Sequence, residues 1–246
     1  MKKAFRGRMC AYCSTNPAST GDHVIGRKFF PESLRDDLPQ VPACPECNNR
    51  KSEYERYAMT VFPFGSLHHA AQEMLQTQVE RRMKGDQSLR HDLRNGRKNA
   101  VGMTSDGSAV TTSALPFDYD KASGLFLMII KGLLWHHLRS PFPRDYVIRL
   151  FPLTDQGLER FKKCFLSLSP ENLQREALAD GAFKYVFTRN RDDPFFTVWV
   201  LDFYDSLNMC GATERGELLR VHMTAFTGPA QVDHIADVFE EKLMIQ

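Results

Sequence analysis

Four cysteines fall in two pairs, Cys10/Cys13 and Cys44/Cys47, with two residues inside each pair and thirty, Ser14 to Ala43, between them. Two such knuckles bring four thiolates to one tetrahedral Zn2+. Metal binding of that kind contributes folding free energy on the order of 10 kcal/mol to a segment too short to build its own core. Four sulfurs close the coordination sphere, so this zinc is structural and any reaction has to be sought nearby. Asp22-His23 stands between the knuckles, and Asn48 follows Cys47 directly. A carboxylate and an amide oxygen are hard donors suited to Mg2+ or Mn2+, and two protein ligands leave positions for water and a substrate oxygen. Imidazoles titrate near neutrality, which suits His23 to take a proton from an attacking water.

These residues need a strand and a helix to hold them. Asp22–Gly26 reads as a short strand, and a helix is expected from Pro45, tolerated in a first turn, to about Thr60, with Glu46 at its positive end. The zinc would tie the two together, so that Asp22 and Asn48, 26 positions apart, converge. Residues 66–98 read as one or two polar helices carrying Arg81, Arg82, Lys84, Arg90, Arg94, Arg97 and Lys98. A hairpin is expected over Val101–Thr112, a buried helix over Tyr119–Arg139, a strand over Tyr146–Phe151 and a helix over Asp155–Ser167. A second hairpin follows (Phe183–Arg189 with Phe195–Tyr204), then a strand near Leu218–Phe226 and a helix over Ala230–Met244. Strands and helices mix without regular alternation, which is an α+β pattern.

The string Cys-x-x-Cys, then Asp22-His-Val-Ile-Gly-Arg, then Val41-Pro-Ala-Cys-Pro-Glu-Cys-Asn-Asn-Arg-Lys-Ser resembles the zinc-containing branch of the HNH, or ββα-metal, endonucleases over about residues 8–55. The resemblance implies an N-terminal zinc-stapled ββα-metal module, residues 1–62; the pattern of the rest of the chain adds a basic helical connector, 63–100, and a larger mixed α+β domain, 101–246. It also implies metal-dependent hydrolysis of phosphodiester bonds in double-stranded DNA. His23 would be the general base, and Asp22 and Asn48 the ligands of the catalytic ion. This chain departs from the family at Gly26, where many members have proline, and at Leu38-Pro39-Gln40-Val41, where many carry a loop-pinning asparagine. Analogy with bacterial proteins of this build suggests antiviral defence or restriction.

Charge is uneven along the chain. Residues 1–100 hold 17 Lys/Arg against 11 Asp/Glu, a net +6, and residues 101–246 hold 15 against 19, a net −4. A polyanion is drawn to the first part, where Arg27, Lys28, Arg50 and Lys51 flank the expected ion and could meet phosphates. The run Leu125–Ile130 is too short to cross a bilayer, and no apolar segment follows the basic N-terminus, so a cytoplasmic protein is expected, with reduced thiols. Cys164 and Cys210, alone in apolar surroundings, read as core. The acidic C-terminal part is left to ligand sensing, a protein partner, homodimerisation or substrate choice, which its residues do not separate. A non-catalytic zinc module that binds nucleic acid or protein is the competing expectation.

Overall fold

The computed structural model describes residues 5, 7–66, 68–103, 108–163, 170–205, 207–210 and 218–230. Strand β1 (Thr20–His23) pairs antiparallel with β2 (Gln40–Ala43), setting Asp22 opposite Val41 and His23 opposite Gln40. The strand begins and ends earlier than the apolar run Val24-Ile25 suggests. Pairing stops where the partner becomes Pro39, which has no N–H to give and accepts only the Val24 N–H, at 2.8 Å. Helix α1 (Pro45–Val61) follows β2 almost at once. Cys44 precedes it in extended conformation, Pro45 occupies its first turn and Glu46 sits at its positive end, as expected.

The polar stretch is broken into more pieces than its composition shows. Helix α2 (His69–Met74) runs through a π-helical turn, Leu75–Val79, into α3 (Glu80–Gly85). Asp86 then caps α4 (Gln87–Asn95) by accepting from the Leu89 N–H at 3.0 Å. Strands β3 (Lys98–Met103) and β4 (Ala109–Ala114) form the expected hairpin, whose tip at 104–107 lies outside the described residues. Helix α5 (Tyr119–Leu138) is capped by the Asp118 carboxylate and closed by Arg139 in the left-handed conformation, φ 54°.

The C-terminal part is an antiparallel sheet in the order β5-β10-β8-β7-β6, built from β5 (Tyr146–Leu153), β6 (Gln174–Leu178), β7 (Phe183–Arg189), β8 (Thr197–Phe203) and β10 (Leu218–Pro229). Strand β9 (Leu207–Cys210) pairs with the start of β10. The period-2 alternation of β8 sorts its two faces. Trp199, Leu201 and Phe203 join the core containing α5, while Val198 and Val200 pack with Phe161 and Leu158 of α6 (Asp155–Phe161). Polar Gln174–Leu178 was not expected as a strand, because an exposed edge strand shows little apolar alternation. Cys164, and the helix expected over Ala230–Met244 beyond Ala230, lie outside the described residues.

One core runs from the cysteine-bearing segment through α5 to the sheet. Helix α5 reaches its neighbours at two glycines. A Cβ on Gly124 would stand 2.7 Å from the Tyr54 ring, and one on Gly132 would stand 2.9 Å from Val24 Cγ1. Among the described residues, no helix is long and apolar enough to cross a membrane.

Candidate functional site

The four expected cysteines come together. Their sulfurs all lie within 4.8 Å of one another, and Cys13 Sγ is 3.9 Å from Cys44 Sγ. A tetrahedron with Zn–S bonds of about 2.3 Å has edges of about 3.8 Å, so the cluster fits one zinc ion. Ser14, with φ 54°, turns the first knuckle back on itself, and the Tyr12 and Asn16 N–H groups point at Cys10 and Cys13 sulfur, each at 3.4 Å. Burial works against charge on these thiols, raising Cys44 to about 11 and pushing Cys47 up as well. At Cys13 burial is outweighed by the N–H groups of Asn16 and Thr15, which bring it to about 7. Four thiolates so close together need a cation, and the cluster can hold a structural metal such as zinc.

Beside the cluster, the β1–β2 register fixes the second set. Asp22 Oδ2 accepts from the Tyr12 hydroxyl at 2.5 Å and pairs with Lys51 Nζ at 3.1 Å. Lys51 also donates to the His23 carbonyl at 2.8 Å and pairs with Glu55 one turn further along α1. The Tyr12 ring lies 6.0 Å from the same ammonium. Burial, followed by the Asp22 charge, drives the Tyr12 hydroxyl well above its usual range, so it stays a donor. Burial also raises Glu55; the Lys51 charge offsets part of that rise and the nearby Asp22 charge adds to it.

Asn48 is half-buried in the first turn of α1, its N–H bonded to the Cys44 carbonyl at 3.0 Å. Residues 48, 51 and 55 form one stripe of the helix. Lys51 of that stripe reaches Asp22, and Asn48 lies one helical turn nearer the cysteines. On the other side, the Gln40 amide lies 2.7 Å from His23 Nε2, directly across the ladder.

The basic residues divide. Arg27, Lys28 and Arg50 are exposed. Lys51 is not available to phosphates as expected; it is 1% exposed and spent on two carboxylates and a carbonyl. A lone charge in this position would be costly to bury, and the two acids are what hold it there. Tyr12, Gln40 and Glu55 were not anticipated. Only Glu55 left a trace in the sequence, as the acid four residues after Lys51 on one helix.

No family model, curated protein or solved structure matches the chain.

Proposed function

We propose that the chain is a metal-dependent endonuclease of the HNH type, cutting phosphodiester bonds of double-stranded DNA on a scaffold held by a structural zinc. The observation that carries this is the convergence of three supports. Asp22-His23 ends β1, β2 leads within two residues into α1, and Lys51 joins the Asn48 stripe of that helix to Asp22. Both donors to Asp22 fall on Oδ2, so Oδ1 and the Asn48 amide oxygen are the atoms that would take the divalent ion. When bound, that ion would offset charge on the phosphate and on the departing 3′ oxygen.

The chain's own residues do the rest. Tyr12 and Lys51 fix the Asp22 carboxylate, and Gln40 fixes the imidazole. The Gln40 Nε2 faces the ring nitrogen, which demands the Nδ1–H tautomer; the amide turned over would present its oxygen, accept Nε2–H and leave a lone pair on Nδ1. In that second arrangement His23 accepts the proton of the attacking water at Nδ1.

One observation favours the rival, a zinc module without catalysis: the Lys51 ammonium already neutralises Asp22. Plasmid nicking with Mg2+ or Mn2+, combined with Mn2+-dependent stabilisation, separates the two. At a hundredfold excess over Kd, Mn2+ should stabilise the wild type by about 2.7 kcal/mol and Asp22→Asn by much less, and His23→Ala should lose nicking while keeping the metal. Nicking that survives His23→Ala removes the proposed base. No nicking and no Mn2+ effect in the wild type favours the rival.

A further inference from the structure

Away from the proposed reaction centre, a cleft of about 370 Å3 opens between the turn after β1 and the helix that follows the π turn. It is lined by Lys28, Glu32, Arg35, Gln78, Arg81 and Arg82, four cations against one carboxylate. The cleft is built from fixed parts. Arg82 donates to the Met59 carbonyl and to the Lys28 carbonyl, each at 2.7 Å, bracing α3 against both α1 and the turn. The Arg35 Nε–H donates to the Phe30 carbonyl at 3.0 Å, and the Tyr204 hydroxyl holds the Phe29 carbonyl. Arg35 meets Glu32 at 3.4 Å, and Arg81 rests on the Gln78 amide. Burial lowers the Arg82 guanidinium, and the nearby charges of Arg35 and Arg81 lower it further, so these cations repel one another within the cleft. A crowd of like charges on a braced frame is poised for a polyanion.

Its offset from Asn48 along α1 follows from the bond to Met59. Met59, to which Arg82 is tied, lies eleven residues beyond Asn48 on that helix. At 1.5 Å per residue the two positions are about 16 Å apart along the helix axis, the axial length of about five base pairs. The turn Arg27–Phe29, which contributes Lys28, begins four residues after His23.

We propose that this cleft receives the phosphodiester backbone of duplex DNA about five base pairs to one side of the bond being cut. The inference rests on the nuclease reading for its distance from the cut, but the binding it asserts is measured without cleavage.

The test compares the full-length, zinc-loaded protein in three forms, each carrying His23→Ala: no further change, Lys28→Gln with Arg81→Gln, and Lys162→Gln with Arg175→Gln as a control of equal charge. A fluorescent 30-base-pair duplex is titrated at several salt concentrations with no divalent ion added. Each lost phosphate contact makes the negative slope of log K against log salt shallower by about 0.9, so the first pair should flatten it by about 1.8 and the control pair should leave it unchanged. Equal slopes in all three forms, or no binding by any, overturn the proposal. Should the wild type never cut DNA while the cleft pair still flattens the slope, the nuclease reading falls and the binding cleft stands. Should it cut while the slopes agree, the cleft falls and the nuclease reading stands. For a wild type that cuts, duplexes ending less than about five base pairs to one side of the cut should erase the difference between Lys28→Gln/Arg81→Gln and its parent; a difference that persists on them places the contact elsewhere.

Discussion

Replacing Lys51 with methionine keeps the volume of the side chain and removes its charge. The ammonium is 1% exposed, and the Asp22 and Glu55 side chains it joins are 15% and 13% exposed, so solvent does little to screen the loss. Removing one partner of a buried ion pair costs about 3–5 kcal/mol, which for a chain of this size is a fall in Tm of about 6–20 °C. The loss should depend on pH in a definite direction. Glu55 is already raised by burial, so the folded chain keeps a proton that the unfolded chain has released, and its contribution falls as pH rises from the unfolded value of about 4.3 through the folded one. Without Lys51 the carboxyl rises further, so the deficit of the variant should be smaller near pH 5 than at neutrality. Denaturant unfolding of the zinc-loaded wild type, Lys51→Met, Glu55→Gln and the double variant at both pH values checks this. The second substitution should recover the part of the loss that Glu55 carries, since a neutral amide needs no counter-ion, and leave the part carried by Asp22. A deficit equal at both pH values, or a double variant no better than Lys51→Met, would refute the buried-charge account.

Three other outcomes are expected. Cys44→Ser should take zinc content measured by atomic emission from one per chain to near zero and abolish the upper part of the melting transition; full zinc with an unchanged melt would remove the metal from the scaffold. His137 is pulled down to about 4 by burial, then by the neighbouring His136, Arg189 and Arg139. The unfolded chain therefore binds the extra proton between about 6.5 and the folded value, and stability should drop as pH falls through that window. His137→Leu should flatten the acid limb, and an unaltered pH profile would count against it. Gly132→Ala places a methyl 2.9 Å from Val24 Cγ1 and should cost about 1–3 kcal/mol; a neutral effect in chemical denaturation would mean that α5 and the residue following β1 are not in tight contact.

How much of this was legible beforehand depended on whether the signal was local. Paired cysteines, the proline in the first turn of α1 and the long apolar run of α5 act within a few residues, and the elements they indicate are present. The ends of β1 depended on its partner, because Pro39 stops the ladder from across the sheet. The inward turn of Lys51 was invisible for the same reason: its helix position suits an exposed cation equally well, and only the approach of Asp22 from another strand decides otherwise. Gln40 acquires its contact with His23 from register alone, and no pattern within either segment encodes that. The cleft around Arg82 joins residues more than forty positions apart; composition indicated a basic 81–98 segment but not that three arginines and a lysine would share one hollow.

The contact between α5 and the turn after His23 has a mechanical consequence. Val24 presses on a bare backbone at Gly132, and Tyr54 on another at Gly124, with no side chain between to absorb a displacement. The far end of the same rod rests on the large sheet through His137 and Tyr185, 3.0 Å apart. Anything that tilts the sheet against the rod is therefore delivered, undamped, to the residue after the proposed base. Cutting the chain before residue 119 would not liberate a working fragment; it would take away the wall against which the strand of Asp22 and His23 is braced.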